Sequence, residues 1–204
     1  MFALLNIESC GGNMQNAKKL VLAVATVVGL ALFLLAQDKP KHEVFQAQAM
    51  GQSTQLGRTF NVTVHIAEYS TPEERQILIE AFDKAGSEGL FNALEKMPSK
   101  GRIAITGTLG YDVSFIRQIP IADGRRIRVL TNRPIRFGEA WTNSRSSDYN
   151  LSFLEFDLVN QKDKSTGVLL PACQLKIDKK TQELVVENYQ NPWKLVNILN
   201  RSDE

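Results

Sequence analysis

The sequence predicts an α+β fold: a curved antiparallel sheet of about six or seven strands packed on a bent helix pair, in the order β-α-α-β(about 6)-short α. Three observations carry this. Arg58 to Glu68 alternates apolar and polar residues, Ser70 to Glu74 spells a helix start, and from Gly101 onward the apolar period returns to two with turn residues between the runs.

Ahead of that fold, Leu20 to Ala36 is a run of seventeen uncharged residues, preceded by Lys18 and Lys19 and followed by the polar stretch Gln37 to Lys41. A helix rises about 1.5 Å per residue, so the run spans roughly 26 Å, slightly short of a ~30 Å hydrocarbon core. Residues 1–36 are therefore expected to be a signal peptide or an N-terminal membrane anchor formed by a transmembrane helix, with Met14 as an alternative start. Ala36 supplies a small residue at the junction but Leu34 stands two before it, so both the cleaved and the uncleaved forms stay open. The protein is expected to be exported across the cytoplasmic membrane, ending periplasmic, secreted or membrane-anchored, with the membrane as partner through Leu20 to Ala36 if that run is retained.

Gln37 to Gly57 is rich in Gln, Ala and Ser with little large apolar content, and is expected to be a flexible tether before a single domain over residues 58–204. In that domain Phe60, Val62, Val64 and Ile66 point one way from the first strand, while Asn61, Thr63 and His65 point the other. Thr71 can cap the next helix, Pro72 fits its first position, and Glu74 completes a capping box. Ile77, Leu78, Ala81, Phe82 and Ala85 form its apolar stripe, Gly86 interrupts, and Leu90, Phe91, Leu94 and Met97 continue on a second short helix ended by Pro98. An antiparallel meander follows, with strands at Arg102 to Thr108, Tyr111 to Ile119, Arg126 to Thr131, Leu151 to Val159, Val168 to Ile177 and Leu184 to Tyr189. Asn191-Pro192 then starts a short helix, Trp193 to Asn200, expected to pack Leu195, Ile198 and Leu199 on the sheet.

This order resembles the helix-grip arrangement of START-like lipid-binding domains, and cystatin-like packing of a sheet around early helices is a comparable alternative. The stretches Phe60 to Ile66, Gly101 to Val113, Arg136 to Trp141 and Asn191 to Asn197 resemble a family of uncharacterised exported proteins from environmental bacteria. The resemblance implies export and a single domain, and transfers no catalytic residue.

Composition narrows function. Taking Lys18, Lys19 and Glu8 from 24 basic and 22 acidic residues leaves the remainder near neutral, so bulk charge implies no nucleic-acid partner. The only cysteines are Cys10, before the apolar run, and Cys173, within an apolar stretch, so no disulfide joins them inside the domain. With two histidines, His42 in the tether and His65 on the first strand, no metal site and no cofactor is expected, and enzyme chemistry would rest on His65. Asp112 could orient His65 and Ser114 could act as nucleophile, a hydrolase-like alternative that lacks a Gly-x-Ser-x-Gly elbow. Gly107 to Gly110 lacks the lysine and the helix of a phosphate cradle and reads as a turn.

Between Arg117 and Arg145 lie seven arginines and no lysine, against Asp123 and Glu139 as the only acids. Guanidinium forks suit carboxylate or phosphate recognition, and Trp141 and Tyr149 offer stacking surfaces in the long polar segment Gly138 to Asn150. Arg126, Arg128, Arg136, Trp141, Arg145 and Tyr149 are therefore the candidate ligand-binding set of a non-catalytic binding domain. The competing reading pairs Arg126 and Arg128 across the sheet with Glu155 and Asp157, or with the acidic helix bearing Glu73, Glu80 and Asp83. A hydrophobic-ligand carrier of helix-grip type is the other alternative, and it requires an apolar cavity between sheet and helices.

Overall fold

A computed structural model describes residues 42–133, 135, 149–178 and 180–202, all within one unit, Pro40–Glu204. Leu20 to Ala36, Met14, Arg136, Trp141 and Arg145 lie outside the described residues.

Ten strands form one antiparallel sheet: β1 (Glu43–Gly51), β2 (Thr59–Ile66), β3 (Gly101–Ile105), β4 (Tyr111–Val113), β5 (Phe115–Ile121), β6 (Gly124–Thr131), β7 (Leu151–Val159), β8 (Thr166–Asp178), β9 (Glu183–Gln190) and β10 (Trp193–Asn200). Their order is β4-β3-β2-β1-β10-β8-β7-β6-β5, with β9 beside β8. The two ends of that order, β4 and β5, are halves of one segment bent at Ser114. One half pairs with β3 and the other with β6, so the sheet curls into a nearly closed barrel. A second segment behaves likewise: β9 and β10 flank Asn191-Pro192, β9 pairing with the far part of β8 and β10 with its near part.

Alternation decides what fills the barrel. Phe45, Ala47 and Ala49 of β1, Val62, Val64 and Ile66 of β2, Ile103 and Ile105 of β3, Ile127 and Val129 of β6, and Leu154 and Phe156 of β7 are all buried in one cluster. Phe60 and Trp193 meet edge to face at 4.6 Å where β1 gives way to its turn, and Phe45 and Phe156 stand 5.8 Å apart toward the other end. The interior is thus a packed core, as suits a barrel of this strand number.

The helix α1 (Pro72–Lys96) covers the outside of β5 to β8. Glu74 N–H donates to Thr71 Oγ1 at 3.2 Å and Thr71 N–H donates to Glu74 Oε2 at 2.9 Å, the reciprocal capping box, with Pro72 in the first turn. The helix breaks at Ala85 and Gly86, where Gly86 takes φ 59°, a left-handed angle that favours glycine. Leu78, Leu90 and Leu94 bury against Phe115, Leu130, Phe153, Leu170, Cys173 and Leu175, so β5 to β8 are apolar on both faces where the helix covers them. Lys100, just before β3, donates to Glu68 and, at 2.8 Å, to Glu74, tying the helix start to the barrel.

This architecture corrects the α+β expectation. The described residues are mostly strand with one kinked α-helical element, a barrel-like sheet and not a sheet on a helix pair. Two segments change class. Glu43 to Gly51, expected within the tether, is a central strand, paired with β2 from Glu43↔Ile66 to Met50↔Thr59 and with β10 on its other side. Trp193 to Asn200, expected as the closing helix, is the strand that pairs with β1. The expected transmembrane helix is corrected as far as the described residues reach: no helix among them is long and apolar enough to cross a membrane.

Candidate functional site

Strand direction sorts the turns between two ends of the barrel. The start of β1, the β5–β6 turn, the β7–β8 turn and the end of β10 gather at one end, and there a pocket of about 400 Å³ opens. Phe45, Leu158 and Ile198 supply apolar lining, while Arg125, Asn160 and Ser165 supply polar groups.

Each lining group has a local cause. At the β5–β6 hairpin Ala122 and Asp123 make the turn and Gly124 takes φ 144°; a Cβ there would stand 2.0 Å from Leu158 O, so β7 can approach only a glycine. The two turns are stitched together, since Asn160 Nδ2 donates to Asp123 Oδ1 at 2.7 Å and Asn160 N–H to Asp123 O at 3.1 Å. Val159 N–H donates to Ser165 Oγ at 3.1 Å, fixing the β7–β8 turn. Ile198 reaches the pocket because of a β-bulge: Gln46 pairs with Leu199 and Gln48 with Val196, so Asn197 and Ile198 together face Ala47. Asn197 takes φ 52° at the bulge, and the alternation of β10 resumes one residue late with Ile198 inward.

Arg125 is the charged group of the pocket. Its Nη2 donates to Glu43 Oε2 at 2.5 Å and its Nη1 to Glu43 Oε1 at 3.1 Å and to Gln118 Oε1 at 2.8 Å, and the guanidinium carbon lies 5.8 Å from the Phe45 ring centroid. Tyr69 Oη donates to Glu43 Oε1 at 2.9 Å. Burial, with the neighbouring Glu43 charge, pushes the Tyr69 hydroxyl well above the usual tyrosine range, and the Glu43 hydrogen bond holds Arg125 above its ordinary value. Arg125 therefore stays a cation, oriented before any ligand arrives.

The sequence-derived candidates are dispersed. Arg126 forks onto Asp157 at 2.6 and 2.9 Å, and Arg128 Nε donates to Glu155 at 2.5 Å while its Nη1 donates to Leu184 O at 3.1 Å. Their pairing is the cross-strand one, extended by Glu183, which also takes Arg117 at 2.7 Å and Arg75 at 3.5 Å. Tyr149 is half-buried before β7, away from the pocket lining. His65 and Asp112 are exposed on β2 and β4, but Arg102 of β3 stands between them, His65↔Arg102 and Arg102↔Asp112. Two strand spacings of roughly 4.8 Å each keep that carboxylate from orienting the imidazole. Ser114 is buried at the β4–β5 bend, where its N–H donates to Leu130 O. Among the described residues no three His, Cys, Asp or Glu side chains gather as metal ligands.

The pocket residues escaped sequence reading except for Arg125, which belongs to the arginine run. The alternation Phe45, Ala47, Ala49 was the available signal for the others, masked by two small alanines. No model of a known protein family, no curated protein and no solved structure matches this chain.

Proposed function

We propose that the folded unit is a non-catalytic binding module that holds a small amphipathic anion, of the medium-chain carboxylate class, at the barrel mouth. The observation that carries this reading is the pocket itself: about 400 Å³ at one end of a barrel whose described inward residues are buried, apolar along Phe45, Leu158 and Ile198 and presenting the guanidinium of Arg125, which Glu43 orients. That volume lies within the usual range of small-molecule sites, and mouths of β-barrels are a common place for them. A guanidinium carries five donors, more than the bonds it makes to Glu43, Gln118 and Tyr69, so a carboxylate can add to the cluster without displacing it. The uncharged run Leu20 to Ala36 supports export of this module. A carrier of larger lipids is disfavoured, because the gap lined by Arg75, Phe115, Leu130 and Leu184 between helix and sheet holds only about 10 Å³.

Titration calorimetry of the full chain with octanoate tests the reading. At roughly 0.5 kcal/mol per non-hydrogen atom, octanoate should bind with a Kd of order 0.1–1 mM. Ile198→Trp, which fills the pocket floor, should abolish the heat, and octanol should bind at least tenfold more weakly. Equal binding of octanol and octanoate would remove the anion from the proposal, and binding unaffected by Ile198→Trp would remove the pocket.

A further inference from the structure

The outside of the barrel carries a second concavity that the mouth reading does not use. On the outward face of β3-β2-β1-β10, Gln48 lies opposite Asn61 and Val196, Gln46 lies opposite Thr63 and Leu199, and Thr106 Oγ1 donates to Asn61 O. A groove of about 400 Å³ runs over them. Its lining contains six amide or hydroxyl side chains, Gln46, Gln48, Asn61, Thr63, Thr106 and Asn197, and no charged one. In a chain with 23% charged residues, a groove whose lining holds no charge, with Arg102 and Lys194 only farther along the same face, is a composition that solvation alone does not require.

Its backbone points the same way. Asn is disfavoured inside strands, yet Asn61 sits mid-strand in β2. Asn197 takes φ 52° at the β10 bulge, a conformation costly for most side chains and tolerated by asparagine. Its Nδ2 donates to Gln48 Oε1 at 3.3 Å, so the amides already form a network across the two strands. Leu199, 49% exposed, adds one apolar surface at the edge.

From this we propose that the outer face of β3-β2-β1-β10 is a binding site for a neutral oligosaccharide. A sugar hydroxyl both donates and accepts, and a carboxamide offers both functions side by side, whereas an ionic ligand finds no countercharge in this groove. The C–H face of a pyranose ring packs on Leu199 while its hydroxyls meet Gln46, Gln48, Asn61 and Asn197. Because no residue is shared between the mouth and the groove, either proposal can fail alone.

The test is an NMR titration of the ¹⁵N-labelled full chain with maltohexaose, cellohexaose and chitohexaose in turn. At least one should shift the side-chain amide signals of Gln46, Gln48, Asn61 and Asn197 saturably, and octanoate should leave them in place. Gln48→Leu combined with Asn61→Val should weaken that binding at least tenfold with little change in Tm. Asn61→Ser, which keeps a small polar residue on the strand, should weaken it several-fold and covers the case in which the double variant folds poorly. The proposal is overturned if none of the three hexasaccharides moves these four amides, or if Asn61→Ser and the double variant both bind like the parent.

Discussion

Truncating Phe156 to alanine tests whether the barrel is filled, on which the confinement of the pocket to its mouth depends. Phe156 is fully buried on β7, its ring 5.8 Å from that of Phe45, and a Cβ on Gly167 would come within 2.9 Å of its Cδ1, so backbone and ring already touch closely on that side. A buried Phe→Ala change costs about 3–5 kcal/mol when the surroundings cannot collapse, and a barrel held by paired strands on every side collapses little. For a unit of this size each kcal/mol lowers Tm by about 2–4 °C, so the variant should melt roughly 6–20 °C lower. Urea denaturation and calorimetric melting both read this loss. The void lies beneath Phe45, which lines the mouth, so toluene should bind the variant, raise its Tm and leave the parent unmoved. A loss below about 1 kcal/mol would refute a packed interior and with it the shallow pocket.

Four further outcomes follow from particular contacts. Arg128, with Glu155 and Glu183, is only 13–16% exposed, whereas Arg126 and Asp157 are 32% and 34% exposed; Arg128→Gln should therefore cost about 1–3 kcal/mol and Arg126→Gln at most about 1, and equal losses in urea denaturation would contradict this burial order. Tyr69 keeps its proton in the fold because burial and Glu43 raise its pKa. An acid raised in this way contributes stability that is complete below its unfolded value of about 10 and is lost as pH rises beyond it, so Tyr69→Phe should flatten the alkaline fall in Tm, and a parent-like fall would speak against the cluster. Burial pushes the Cys173 thiol up to about 12, so in a Cys10→Ser background an aromatic disulfide reagent should react only on unfolding; rapid reaction of the native protein would show an open core. Gly124→Ala meets both a φ of 144° and Leu158 O at 2.0 Å, so it should cost more than about 1 kcal/mol and weaken octanoate binding.

Local signals were legible wherever the cause was local. Thr71, Pro72 and Glu74 announced the helix start because a cap is made by neighbours in sequence, and Gly86 announced the break because only glycine readily takes its backbone angle. The alternation from Phe60 to Ile66 placed the inner face of β2, with Asn61, Thr63 and His65 outside. Non-local causes were not legible. In β1 the inward residues Ala47 and Ala49 are too small to register as a hydrophobic stripe, and they are small because the barrel interior there is occupied by residues from other strands. In β10 the bulge at Asn197 sets Leu195 and Ile198 three apart, so a strand with one extra residue imitates the spacing of a helix. The arginine run was visible, but which arginine faces a pocket depends on register: Arg126 and Arg128 meet acids on β7, while Arg125 turns to Glu43 on β1, eighty-two residues away.

The clasp between the first and last strands has a consequence for the order of events in the life of the molecule. Phe45 pairs with Asn200, Arg201 N–H donates to Val44 O at 2.7 Å, and Val44 N–H donates to Ser202 Oγ across 158 residues. The first of the described strands therefore has the last of them as one of its two neighbours, and the ring cannot shut until synthesis has passed Asn200. Until then β1 keeps an unpaired edge, the mouth has neither Ile198 nor the end of β10, and the growing chain has no closed state to become trapped in. Pairings of such sequence separation form slowly. The β1–β10 pairing is thus the step that shuts the ring, and the order of synthesis delays it until the rest of the described sheet has been made.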